Sequence, residues 1–434
     1  MYVIKEQDMT TKADILNLID DEDVEFIRLQ FADAFGNLKN MAITPGQLER
    51  SLANQYSIDG EVMFDNLIDS DETLYLKPDL ETFVILPWRP QRGKVGKILC
   101  DVCNADGTLY ECSPRTILKK VLDKAAARGY RFMINPECEF FLFHTDENDN
   151  PTTVSHEKAG YLDVGPSDFG ENARRDMVLT LEEMGFEVEC SHHETAVAQH
   201  KIVFTDGEAL KTADALMNFK FAVRSIAKRF GLYATFMPKP RTDAEGSSMH
   251  LNISMYRDGK NLFDPGETGS VTEEASRFIA GILAHAEGMC AVTNPVVNSY
   301  KRILEGYGAP SAIAWSAKRG KNILKLRNNF DETKIEVKFP DPSANPYLAI
   351  AVCIAAGMDG IERGLEPAND NAQSGRHLPG NLKDAIRMMK KDKFICETLG
   401  DEFSRTYISI KSDEWNEYMM QVSDWEIERY LGKM

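Results

Sequence analysis

The chain has 434 residues, 43% hydrophobic and 27% charged, the balance of a soluble globular protein with room for two domains. Its 50 basic against 68 acidic residues leave a net charge of −18, which argues against a nucleic acid as the main partner. No apolar run approaches the roughly 18 residues of a spanning helix, and Met1-Tyr2-Val3-Ile4-Lys5-Glu6 lacks a signal-peptide pattern, so a cytoplasmic location without a membrane partner is expected.

In chain order, residues 24–31 alternate like a strand, and Asp33-Ala34-Phe35-Gly36-Asn37 turns into a second. Residues 82–87 and 96–102 read as two more strands. The second carries Cys100-x-x-Cys103, the one close pair among eight cysteines, which reads as structural because no second pair or histidine accompanies it. Ser113-Pro114 supplies an N-cap and a first-turn proline for a helix over 115–128, stopped by Gly129, and places a domain boundary near Cys112. Helices follow over 173–185, 212–230, 272–290 and 347–362, the last apolar nearly all round and so buried. Residues 256–260 make a hairpin turn, and 366–375 an exposed loop. Neither an internal repeat nor a low-complexity linker is present.

The segment Asn135-Pro136-Glu137-Cys138-Glu139-Phe140-Phe141-Leu142-Phe143 carries the strongest chemical signal. Residues two apart on a strand share a face, so Glu137 and Glu139 point one way while Cys138 and Phe140 point the other. Two like charges in so apolar a run are costly unless a divalent cation lies between them or the strand is an edge with both acids in water. Further strand-like segments also gather polar groups on one face. They are His192 with Glu194; His250, Asn252 and Ser254; Lys334, Glu336 and Lys338; and the run Gln199-His200-Lys201-Ile202-Val203-Phe204. Five positive charges in residues 318–327 suggest an anion site, phosphate above all, or else a solvated basic loop. No Walker or Rossmann glycine pattern occurs, so a nucleotide would bind by another route.

Taken in order, these segments resemble type I glutamine synthetase over essentially the whole chain. The resemblance is carried by Phe26-Ile27-Arg28-Leu29-Gln30-Phe31, residues 135–143, Gly160-Tyr161-Leu162-Asp163, His192-His193-Glu194, Ala234-Thr235-Phe236-Met237-Pro238-Lys239-Pro240, residues 293–302 and Phe339-Pro340-Asp341-Pro342. It implies an α+β chain, with an N-terminal β-grasp domain (residues 1–111) and a C-terminal catalytic domain of antiparallel sheet with helices (residues 112–434). It also implies a homo-oligomer, a dodecamer of two hexameric rings with active sites between neighbouring subunits. The implied reaction is ATP-dependent: glutamate becomes γ-glutamyl phosphate, and ammonia or an amine displaces the phosphate.

By the same resemblance Glu137, His250 and Glu336 hold one divalent ion (Mg2+ or Mn2+), and Glu139 and Glu194 belong to a second metal site. His192, Ser254, Lys325 and Lys334 fall at ATP-binding positions; Gly246, Arg302 and Lys338 fall at substrate-binding ones. Asp59 matches the aspartate that helps deprotonate ammonium across the subunit boundary, and Arg302 matches the arginine that holds the glutamate carboxylate.

The departures fall on chemistry rather than scaffold. The third ligand of the second metal site is Lys201, where the family has a glutamate. At about 4 Å and an effective dielectric near 20, an ammonium repels a dication by roughly 8 kcal/mol. Lys201 either swings away or pairs with Glu139 and Glu194 in place of the metal, so a single tightly held ion per site is expected. The flap glutamate is replaced by Gly308, two serines by Glu61 and Val62, an asparagine of the glutamate loop by Glu245, and arginines by Gly320, Lys325, Lys334 and Lys338. Lysine keeps the charge but loses the bidentate fork. The segment after the Pro-Asp-Pro helix is also short. Three readings follow: a glutamine synthetase, a γ-glutamyl ligase for a larger amine admitted by Gly308, or a regulatory or accessory relative without activity.

Overall fold

The computed structural model describes residues 11–88, 92–266, 270–304, 309–318, 320–328, 332–368 and 375–433. Gly308, Arg319 and most of the 366–375 loop lie outside these residues. Two sheets organise the chain, and helices pack on them in the α+β manner.

The N-terminal sheet runs in the order Leu38–Ile43, Val24–Ala32, Lys94–Cys103, Thr73–Pro78, Ser57–Asp59. Its two central strands, Val24–Ala32 and Lys94–Cys103, are parallel. Both are apolar enough to be buried over most of their length. The strand expected over 82–87 shrinks to Val84–Ile85. Asp79 caps a short 3-10 turn, Leu80–Thr82, by accepting the amide of Glu81, and this consumes the start of the segment. Cys100 and Cys103 are both buried and all eight cysteines are free. Burial raises the Cys100 thiol pKa, which suits packing rather than redox chemistry.

The second sheet runs Ala312–Ser316, Asn322–Asn328, Thr333–Val337, Met249–Arg257, Arg131–His144, Gln199–Phe204, Val188–His193. Its pairings are antiparallel except the first, which is parallel. The strand Arg131–His144 is therefore central, with neighbours on both sides. An edge strand with both glutamates in water is overturned. Cys138 and Phe140 sit at 0% exposure in an apolar cluster with Phe219 and Phe236, whereas Glu137 and Glu139 occupy the other face.

Helices Pro114–Ala126, Ala209–Arg229, Glu273–Thr293 and Pro346–Glu362 cover the apolar face and share one core with the N-terminal sheet. The helix Pro346–Glu362 is buried along nearly its whole length, as its all-round apolar surface requires. It crosses Glu273–Thr293 at Gly281 and Gly360, where a Cβ on Gly281 would meet the Ala356 carbonyl at 2.0 Å. The N-terminal sheet is fastened to these helices by Arg115. Its guanidinium reaches Asp101 at 2.6 Å, Asp79 at 2.7 Å and Asp214 at 2.9 Å, and Tyr347 donates to Asp214 at 2.6 Å. No helix among the described residues is long and apolar enough to cross a membrane.

Candidate active site

The pleat of the second sheet explains the site. On one face, Glu137 and Glu139 of the central strand stand beside His250 of Met249–Arg257 and Lys201 of Gln199–Phe204, through the pairs Glu137↔His250 and Glu139↔Lys201. Lys201 in turn pairs with His192 on the next strand. Glu336 comes from Thr333–Val337, directly opposite Asn252 and Lys325. Five strands thus converge on one polar patch above an apolar core.

Glu137, His250 and Glu336 place one ligand atom each within 4.8 Å of one another. His250 Nδ1 is 3.1 Å from Glu336 Oε1 and 3.8 Å from Glu137 Oε2, yet it is buried and makes no aligned hydrogen bond. A buried ring nitrogen this close to two carboxylates, without an aligned hydrogen bond to either, is a ligand set that fits a divalent ion. Burial opposes charge on both acids. Contacts with His250 and its positive charge, with Lys201 and with Arg327 nevertheless hold Glu137 well below the usual carboxylate range. His250 and Arg327 likewise bring Glu336 down to about 2 against its burial.

Lys201 does not swing away. Its Nζ lies 2.8 Å from Glu194, 3.0 Å from Glu139 and 3.4 Å from Glu137. Burial alone would lower its pKa, but the three carboxylates raise it, so the ammonium is charged at any ordinary pH. Glu194 is buried, and His192 at 3.1 Å together with Lys201 lowers its pKa. Glu139 is further fixed by the Ser248 amide at 2.7 Å and by Gln199 at 3.4 Å.

Arg302 is 2% exposed and donates to the carbonyls of Phe339 at 2.9 Å and Lys338 at 3.2 Å. Burial lowers its pKa, with partial opposition from Asp341 and Glu139, and among the described residues its hydrogen-bond partners are these carbonyls rather than a carboxylate. A buried guanidinium left with carbonyl partners is a place for an anion. Gly246 lets it lie there, because a Cβ would meet the Pro238 carbonyl at 2.4 Å and Arg302 Cγ at 2.9 Å. Gln199 Nε2 ties the same loop to the cluster by donating to the Gly246 carbonyl at 3.2 Å.

The remaining expected residues are spread over the patch and beyond it. Ser254 donates to Glu332 at 3.0 Å, and Lys334 pairs with Glu332 at 2.9 Å and with Asp206. Lys338 Nζ donates to the Gly320 carbonyl at 3.3 Å, and burial lowers its pKa. Lys325 lies across from Glu336. Asp59 stands exposed on the edge strand of the other sheet, which contributes no strand to the patch.

Sequence reading missed Arg327. It grips both oxygens of Glu336 at 2.8 Å and reaches Glu137 at 3.2 Å. Its position at the end of the basic run 318–327 was the available signal. Asn252, which donates to Glu137 at 3.0 Å, was noted only as a face-mate of His250.

A second buried group backs the patch. His193 Nε2 donates to Glu157 at 2.8 Å, its ring lies 4.9 Å from that of His200, and Arg174 bridges Asp168 at 2.7 Å and His200 Nδ1 at 2.8 Å. Glu157, Asp168, His193 and His200 place one ligand atom each within 4.8 Å of one another, but Arg174 and Glu157 already pair most of these groups, and among the described residues His200 Nε2 is left without a hydrogen-bond partner, close against Gly170. This network braces the strands that present Glu194 and Lys201.

Comparison with known proteins decides the family. The glutamine synthetase catalytic-domain model matches residues 111–430, and the glutamine synthetase beta-Grasp domain model matches residues 23–105. The chain belongs to the glutamine synthetase family. A protein named glutamine synthetase from Clostridium saccharobutylicum is 48% identical over 98% of this chain and 99% of its own. One from Staphylococcus epidermidis (strain RP62A) is 43% identical over 97% and 98%. A solved structure titled GmaS/ADP complex-Conformation 1 superposes with a TM-score of 0.87 at 29% identity, covering 96% of this chain and 99% of that one. The β-grasp and catalytic domains expected from sequence are borne out, and the chain is a carboxylate–amine ligase of the glutamine synthetase type.

Proposed function

We propose that this ligase makes a γ-glutamyl amide from glutamate, ATP and ammonia or an amine, and that the Glu137 face of the second sheet is where it does so. One observation carries the reading. The triad Glu137, His250 and Glu336, whose ligand atoms converge without an aligned hydrogen bond to Nδ1, shares a patch with Arg302, a buried guanidinium whose partners among the described residues are carbonyls.

A carboxylate does not condense with an amine in water because hydroxide is a poor leaving group; phosphorylation turns that oxygen into a good one. Arg302, with Gly246 and Lys338 at its side, holds a carboxylate of glutamate and orients the γ-carboxylate. His192, Ser254, Lys325 and Lys334 border the nucleotide, and the lysines give its phosphates charge without the fork of arginine. Glu137, His250 and Glu336 would hold Mg2+ or Mn2+, which when bound neutralises charge on the transferring phosphoryl group. Asp59, exposed at its sheet edge, would serve a neighbouring subunit's site as the acceptor of a proton from ammonium. We place the domain division at 111/112.

The assembly would be a dodecamer of two hexameric rings in the cytoplasm. Exposed apolar side chains near the C-terminus, among them Met420 (75%), Trp425 (59%) and Leu431 (78%), support contacts between chains.

The identity of the nucleophile has two supports that point apart. The relatives named glutamine synthetase favour ammonia. Gly308, in place of a flap carboxylate, favours a larger amine. Purified protein with ATP and glutamate is expected to release phosphate on addition of a nucleophile. Faster release with primary amines than with ammonia supports the larger pocket, and the reverse supports glutamine synthesis. Silence with both would refute the ligase reading.

A further inference from the structure

Two side-chain cations already occupy the carboxylate patch, and they differ in freedom. Lys201 sits in a strand whose every residue is buried and which is hydrogen-bonded on both sides, to Arg131–His144 and to Val188–His193. Its ammonium is enclosed by Glu137, Glu139 and Glu194 at 2.8–3.4 Å, and its side chain is 11% exposed. An ammonium has three donors, and three carboxylates surround this one. Arg327 is the opposite case. Its side chain is 32% exposed near the far end of the sheet, and its guanidinium lies on Glu336 and Glu137. Those are two of the three groups in the triad whose His250 Nδ1 is unpartnered.

We infer that the site works with one fixed and one exchangeable cation: Lys201 permanently fills the second metal position, and Arg327 keeps the place of a single divalent ion at Glu137, His250 and Glu336. The inference deepens the ligase reading and rests on it only for the role of the ion. Charge favours it. Glu137, Glu139, Glu194 and Glu336 carry four negative charges, and Lys201 with one dication offsets three of them. A second dication would lie against an ammonium whose carboxylate partners among the described residues all belong to this patch, and repulsion between them is strong at such range. Arg327, about a third exposed and on a long stem, can turn away from Glu336 when the ion arrives. The site thus keeps one positive charge at every magnesium concentration, and no chelator can remove it.

The test counts ions, not turnover. Full-length protein without substrates is titrated with Mn2+, and free Mn2+ is read by electron paramagnetic resonance. Wild type is expected to bind one ion per chain. Lys201→Glu, or Lys201→Ala should that variant fail to fold, is expected to bind two. Arg327→Gln is expected to bind one, about tenfold or more tightly, because the competing guanidinium is gone. Two ions of similar affinity on wild type, or none, would overturn the inference, as would Lys201 variants that stay at one. An Arg327→Gln affinity equal to or weaker than wild type would overturn the exchange. Two ions on a protein that releases phosphate would sink this inference while leaving the ligase assignment standing.

Discussion

At the residue scale, electrostatics decides what the carboxylates can do. Four buried acids on one sheet face would unfold a domain unless compensated, since an unpaired buried charge costs several kcal/mol. Lys201, Arg327 and His250 supply that compensation within the chain, which explains why so polar a patch can sit on a central strand. The same logic operates away from the site at His285. Its ring is held between Asp392 at 2.7 Å and Asp359 at 3.0 Å, with Arg363 also on Asp359 and Phe394 stacked against it. Burial opposes its protonation, but the two aspartates win and raise its pKa above 6.5. A raised folded-state pKa means the stabilisation is complete below pH 6.5 and fades as pH rises through the folded value. His285→Gln is therefore expected to lose on the order of 2 kcal/mol in acid, with a smaller loss at high pH. Urea unfolding at both pH values checks this, and a loss independent of pH would contradict it.

At the element scale, most of the site was legible because strands have period two. Glu137/Glu139, His192/Glu194, His250/Asn252/Ser254 and Lys334/Glu336/Lys338 each declared a shared face, and the structure puts these faces on one sheet. The helices were legible from apolar periodicity and stop signals: the one expected over 212–230 forms as Ala209–Arg229, and the one over 272–290 as Glu273–Thr293, capped by Thr272. What periodicity cannot supply is which strands are neighbours. Arg327 reaches Glu336 only because Asn322–Asn328 pairs antiparallel with Thr333–Val337. The Ser248 amide on Glu139 depends on a loop that follows Pro238 back to the sheet, and no side-chain pattern announces a backbone donor. The strand over 82–87 failed for the same local reason that Asp makes a cap elsewhere: a short side chain competed for a backbone amide and won.

At the scale of the whole molecule, the N-terminal sheet and the catalytic sheet share one hydrophobic core and the Arg115 ion cluster, so Asp59 is held on a firm edge rather than on a tether. That edge belongs to a different sheet from the patch, so in the proposed assembly Asp59 serves a neighbouring chain's site. Sedimentation of purified protein is expected to show a large homo-oligomer, with Trp425→Asp and Leu431→Asp together giving smaller species; a wild-type monomer would contradict the assembly. The central claim, that the γ-carboxylate of glutamate is activated by the phosphoryl group of ATP, is tested most directly by isotope transfer. Glutamate carrying 18O in its side-chain carboxylate is supplied with unlabelled ATP and an accepted nucleophile, and the released phosphate is analysed by mass spectrometry. The account predicts one labelled oxygen per phosphate released; phosphate without label would show that water, not the carboxylate, had taken the phosphoryl group.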